Sequence, residues 1–393
     1  MFKGQYVFSQ ITDHLPLHTF RRCVERYHGE RYVKQFRCFD QYLAMSFAQL
    51  THRESLRDIE ACLKAQSSKL YHMGLRSSIS RSTLADANEQ RDWRIYADFA
   101  QALIKIARPL YAGDELGLDL KNTVYALDAS TIDLCFSVFP WALFRSTKSA
   151  VKLHTLLDLR GNIPSFIHIS EGKLHDVNAL DMIIPEAGSF YVMDRAYLDF
   201  ERLFSLNNSG AFFVIRSKNN ILFKRRYSSP VEKTNGIRCD QTIRLTGLNT
   251  KNKYPKPLRR VKYHDKETNK TLNLLTNNEI IPAQTVADLY RYRWKVELFF
   301  KWIKQHLHIR TFFGTSENAL KSQIWIAISV YVLIAIIKKQ LKIKAELYTI
   351  LQVLSLTLFE KIPLEQLLGN SHYMEHTREN AIQLNLFDNL TGH

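Results

Sequence analysis

Residues 285–310 read TVADLYRYRWKVELFFKWIKQHLHIR, and the way this stretch is faced decides the fold. It contains neither Gly nor Pro, and Thr285 with Asp288 forms a capping box just after Pro282, so one continuous helix is predicted. At ~100° per residue, Arg293, Glu297, Lys301 and Lys304 fall within roughly 60° of Tyr290. Val296, Leu298, Phe299, Phe300, Trp302 and Ile303 take the far side. One face is therefore core, and the other aligns a carboxylate with cations and a phenol. A salt-bridged surface helix is the plain alternative. Glu297, with cations on both sides and a bulky aromatic pair two residues on, suits a carboxylate that holds metal beside a phosphate track.

The 393 residues suffice for a large core and more than one domain. A hydrophobic share of 46% excludes a disordered chain. Lys+Arg 54 against Asp+Glu 38 gives a net charge of +16, which favours a polyanion partner, either nucleic acid or an anionic membrane. The five cysteines (Cys23, Cys38, Cys62, Cys135, Cys239) are scattered, odd in number and without a C-x-x-C. That argues against a disulfide framework or a zinc site and fits a reducing cytoplasm. MFKGQYVFSQ lacks the apolar core of a signal peptide. Residues 324–337 are apolar apart from Ser329, but shorter than the ~20 residues a membrane span needs. They read as a buried core helix, so no membrane partner is expected.

Residues 1–118 form a helical, basic N-terminal region in which apolar residues recur three or four apart. Ser82 is placed to cap a helix beginning near Thr83. The pieces around it read either as a helix-turn-helix for DNA or as an ordinary helical bundle. From Thr123 the period changes. TVYALDASTIDLCF, TKSAVKLHTLLDL and IPSFIHIS read as three strands, with a turn at Gly161-Asn162. HDVNALDMII reads as a helix, SFYVMD as a strand, LDFERLFSLNN as a helix and AFFVIRSK as a strand. This is an α/β order over 119–218. Residues 219–281 form a β-rich insertion. Between Arg216 and Lys270 there are sixteen Lys/Arg and four Asp/Glu, a net +12. Tyr227, Tyr254 and Tyr263 are interleaved with these cations, which suits a phosphate-contacting surface. Residues 282–345 complete the core, and 346–393 supply a C-terminal helix and a polar tail.

Tyr290, Arg293, Glu297 and Lys304 meet the spacing Y-x2-R-x3-E-x6-K. In this the chain resembles a large family of bacterial insertion-sequence transposases with an Asp-Asp-Glu triad. The resemblance implies a ribonuclease-H-like mixed sheet with flanking helices, carrying the β-rich insertion and the helical N-terminal domain. It carries Asp128 (in ALDAS) onto the first family aspartate, Asp194 (in VMDRAYLD) onto the second and Glu297 onto the glutamate. These are the implied catalytic and metal-binding residues, for Mg2+ or Mn2+, two ions per site. Tyr290, Arg293 and Lys304 match positions that grip DNA backbone, and Lys301 lies on the same face.

The strand ends agree with that choice. Asp128 and Asp194 each end an apolar run, and parallel neighbouring strands would bring both to one edge. Asp158 ends an antiparallel strand, so it belongs at the opposite edge and is structural. Asp133 has the wrong parity to share a face with Asp128. Asp176 and Asp181 read as caps or surface, and His175 either as a cap or surface residue or as one near the site.

The implied reaction is cut-and-paste transposition. Hydrolysis at the element's terminal inverted repeats is followed by strand transfer to target DNA, in a homodimeric synaptic complex in the bacterial cytoplasm at the nucleoid. Some relatives use a Trp of the insertion for a hairpin step. The five Trp here (93, 141, 294, 302, 325) leave none between Asp199 and Ile281. Either the step is unused or a Tyr or Phe of the insertion serves it. Two rival readings are a non-catalytic DNA-binding protein derived from a transposase and a structure-specific nuclease on the same fold. A glycosidase with paired carboxylates is disfavoured by the basic insertion.

Overall fold

A computed structural model describes residues 4–76, 78–146, 148–218, 220–232, 235–266, 268–306 and 312–369. The polar tail and the end of the signature stretch at 307–311 lie outside the described residues. Ten strands among the described residues form one mixed sheet. They are β1 (Val124–Leu134), β2 (Leu143–Arg145), β3 (Lys148–Asp158), β4 (Ile163–Glu171) and β5 (Phe190–Met193). β6 (Phe212–Arg216), β7 (Phe223–Ser229), β8 (Ile237–Leu245), β9 (Leu258–Asp265) and β10 (Lys270–Thr276) follow. The order is β2-β3-β1-β5-β6-β10-β9-β8-β7, with β4 paired to β3.

β1, β3 and β4 make an antiparallel meander whose second turn places Gly161 and Asn162 at positive φ, as their sequence predicts. β1–β5 and β5–β6 are parallel pairs, with Val124 opposite Phe190 and Phe190 opposite Phe212. A parallel pair needs a crossover, and the helix Phe200–Asn208, capped by Asp199, supplies the one between β5 and β6. β10 then pairs with β6, so the basic strands of the insertion continue the same sheet.

Both faces of the sheet are covered, and strand alternation divides the core in two. Val124, Ala126, Phe190 and Val192 enter the larger cluster, whereas Tyr125, Leu127, Tyr191 and Met193 enter the smaller one on the other face. The larger cluster also takes in the N-terminal helices and the helix Glu317–Gln340, so the helical region shares a core with the sheet. That long helix packs against Arg94–Tyr111 and Cys38–Leu50. It is apolar nearly all round because it is buried nearly all round.

Some local expectations need correction. The signature stretch is two helices, Ala283–Tyr292 and Trp294–His306, interrupted at Arg293. The first begins after Pro282, so Thr285 lies inside it, and Asp288 accepts a bond from Gln284 in place of a capping role. Asp176–Met182 is a 3-10 helix in place of an α-helix, and it packs Ala179 and Leu180 into the smaller core cluster. Ser80, not Ser82, caps the helix Arg81–Gln90, its hydroxyl accepting from the Thr83 N–H. That helix buries Leu84, Ala87 and Asn88 within the bundle.

Candidate active site

Asp128 has the parity of Val124 and Ala126, and Asp194 that of Phe190 and Val192. Both carboxylates therefore leave their strands on the face of the larger core, at the C-terminal edge of two parallel neighbours. The two signature helices lie on that face, held by buried Val286, Leu289, Val296, Phe299, Phe300 and Ile303. Their polar side meets the carboxylates directly. The Tyr290 hydroxyl donates to Asp194 Oδ1 at 3.1 Å. Arg293 Nη1 donates to Asp128 Oδ2 at 2.8 Å, and its Nη2 donates to Glu297 Oε1 at 2.5 Å. Lys304 Nζ reaches the carbonyl of Thr131 at 2.6 Å, three residues beyond Asp128 on β1. The interruption at Arg293 helps this convergence. Its N–H and the N–H of Val296 form i to i−3 bonds that tighten one turn beside β1.

A groove of about 430 Å3 opens here, lined by Asp128, Ser130, Glu297, Phe300, Lys301 and Lys304. Its electrostatics are polarised. Burial pushes the Asp128 carboxyl up to about 6, with Glu297 and Asp194 adding to the shift, while Arg293 and the Ala129 N–H oppose it. Burial, then Asp194, pushes the Tyr290 phenol up to about 12, so it stays a donor to that carboxylate. The Arg293 side chain is only 16% exposed and lies between two acids, which keeps it charged.

The sheet thus brings Asp128, Asp194, Glu297, Tyr290, Arg293, Lys301 and Lys304 to one edge. Asp158 sits opposite Tyr125 at the other end of β1, where it accepts from the Arg160 N–H and lies 3.8 Å from Arg108. Asp133 is exposed on β1, and His175 is exposed ahead of the 3-10 turn. Leu298, expected in the core, is 42% exposed, because its flank of the helix faces a second groove. Tyr254 and Tyr263 are buried and support the sheet, leaving Tyr227, on edge strand β7, as the exposed tyrosine of the three. Tyr197 was missed. Its buried hydroxyl has no hydrogen-bond partner among the described residues, and Asp128, Asp194, Asp176 and Arg293 all act on it. Its place three residues after Asp194, in D-R-A-Y, was the available signal.

As placed, Asp128 and Glu297 are bridged by a guanidinium. Among the described residues no three His, Cys, Asp or Glu side chains close around one point. The donor chemistry still suits a hard divalent cation: carboxylate oxygens are its preferred ligands, and here they gather with a single buried cation to offset them.

The sequence pattern of the transposase DDE domain matches residues 119–333, and that of a domain of unknown function (DUF4372) matches residues 3–76. The chain is 31% identical over 285 residues to "Putative transposase y4zB" of Sinorhizobium fredii, covering 71% of this chain and 77% of the relative. It is 32% identical over 218 residues to "Probable transposase for insertion sequence element IS5377" of Geobacillus stearothermophilus, covering 55% and 57%. Among solved structures it is similar to a cryo-EM piggyBac transposase synaptic complex with hairpin DNA, at 12% identity and a TM-score of 0.45 over 96% of this chain and 81% of that one.

Proposed function

We propose that this chain, which belongs to the family of the transposase DDE domain and is a DNA transposase of an insertion sequence, cuts and joins DNA with Asp128, Asp194 and Glu297 as its acidic triad. The observation that carries this is the shared edge. Two carboxylates of the same parity follow the last paired residues of two parallel strands, and the two signature helices lie across them, with Tyr290 bonded to Asp194 and Arg293 to Asp128 and Glu297. The antiparallel meander followed by two parallel strands is the order we read as a ribonuclease-H-like core, with 219–281 as its basic insertion.

Asp128, Asp194 and Glu297 are the residues that would hold Mg2+ or Mn2+, two ions in our reading. Such ions supply the Lewis acidity that makes hydroxide from water at neutral pH and stabilises a departing alkoxide. The remaining work belongs to this chain. Tyr290 fixes the Asp194 carboxylate. Arg293 holds Asp128 and Glu297 in register and presents a planar donor fork to a phosphate that enters between them. Lys304, braced over Thr131, and exposed Lys301 line the floor along which the backbone runs. Water attacks the phosphodiester and the P–O3′ bond breaks; the freed 3′ hydroxyl later attacks a target phosphodiester at the same site, whose own P–O3′ bond breaks to release the target's 3′ hydroxyl. Holding two element ends together calls for a homodimer on DNA.

Supercoiled plasmid carrying the element's ends tests the reading. Asp128→Ala, Asp194→Ala and Glu297→Ala should each abolish Mg2+-dependent strand cleavage while end binding stays within about threefold, or about 0.7 kcal/mol. Cleavage retained in any of the three removes that residue from the triad. Loss of cleavage by wild type under all metal conditions would favour a DNA-binding protein without catalysis.

A further inference from the structure

On the outer flank of the Trp294–His306 helix a second, larger groove of about 870 Å3 runs beside the end of the helix Glu317–Gln340 and the start of Leu347–Thr357. Lys295, Lys301, Lys338, Lys339 and Lys342 line it, against the carboxylates of Asp114 and Glu346. Asp114 is already paired with Lys339. Lys295 lies half-buried with its ammonium 4.4 Å from the centroid of the Tyr292 ring and has no carboxylate partner among the described residues. Leu298 and Tyr348 add exposed apolar surface, 42% and 37% exposed, to the same lining. Lys301 borders both this groove and the one at Asp128, so the two adjoin across that side chain. Cations spread along an open trough, interleaved with aromatic surface, match an extended polyanion better than a compact phosphorylated molecule.

We propose that this trough is a second track for DNA backbone, receiving the duplex on one side of the scissile phosphate after it passes Lys301. The inference rests on the groove at Asp128 being the place of cleavage. The test uses three DNA probes: a duplex spanning the cleavage position, and two half-duplexes that end there from either side. The variant is the full chain with Lys295→Gln and Lys342→Asn. Gln keeps most of the stem of Lys295, and Asn suits the φ of +52° at position 342.

Each phosphate contact contributes about 0.9 to the slope of log affinity against log salt. The double variant should therefore lose about 2 in slope on the spanning duplex and on one half-duplex, and nothing on the other. Hydroxyl-radical footprints of the wild-type chain should extend farther on that same side. Equal loss on both half-duplexes, or on neither, overturns the track, as does a symmetric wild-type footprint. Cleavage by Asp128→Ala separates failure of this inference from failure of the catalytic reading, because neither Lys295 nor Lys342 lines the groove at Asp128.

Discussion

Replacing Arg293 by Ala should change the titration of Asp128 more than any other substitution at this edge. In the folded chain the guanidinium donates to Asp128 at 2.8 Å and to Glu297 at 2.5 Å, and the Asp128 side chain is 20% exposed. Burial has already raised the Asp128 carboxyl to about 6, and Arg293 is the largest influence holding it down. An arginine beside a carboxylate lowers its pKa by roughly 1–3 units, so Arg293→Ala should raise the Asp128 midpoint by about that much. In energy this is about 1.4–4 kcal/mol of lost stabilisation of the carboxylate. The sign follows from linkage. A carboxyl raised in the folded state contributes stability below its unfolded value, and that contribution is lost as pH rises through the folded one. The variant should thus match wild type near pH 4, where Asp128 is protonated in both. It should fall behind progressively above pH 6. Carbon-detected NMR of the side-chain carboxyls in metal-free protein gives the midpoint, and thermal melting between pH 4 and 8 gives the stability difference. A midpoint that stays at about 6 or moves down refutes the reasoning, as does a stability loss independent of pH.

Lys304→Ala should weaken binding to the element's end and reduce the salt slope by about 1, because one phosphate contact is lost; an unchanged slope makes it a brace for Thr131 alone. Asp158→Asn should leave cleavage at the wild-type rate, since Asp158 lies at the far end of β1, and because burial raises its carboxyl to about 6, the melting temperature should not fall above that pH. Ile328→Ala, in the middle of the buried Glu317–Gln340 helix, should destabilise by about 2–5 kcal/mol in denaturant unfolding, because the site is closed on all sides.

What the sequence disclosed, it disclosed through local patterns. The apolar run ending at Asp128 fixes parity along β1, and the i, i+4, i+11 placement of Arg293, Glu297 and Lys304 fixes a helix face. Neither pattern depends on distant partners, so both could be read directly. The features that escaped are non-local or conformational. Nothing in TVADLYRYRWKVE signals that the helix breaks at Arg293, where the side chain bonds Asp128, 165 residues earlier. Tyr254 and Tyr263 resemble stacking residues among cations, yet the ladder from β6 through β10 to β9 and β8 closes a core over them. Leu298 looks like core by wheel geometry, and its exposure follows from where the long helix ends and its successor begins. The Tyr197 hydroxyl became noticeable only once the strands had placed it among three carboxylates.

The central claim is that Asp128, Asp194 and Glu297 act together on one metal-bound phosphate. Anomalous scattering from Mn2+ in crystals of the chain with cleaved end DNA measures this directly. The account predicts peaks within about 2.2 Å of Asp128 and Asp194 carboxylate oxygens, with Glu297 facing one of them and the Arg293 guanidinium turned to phosphate. Manganese absent from this edge, or Arg293 still bridging Asp128 and Glu297 with DNA in place, would contradict it.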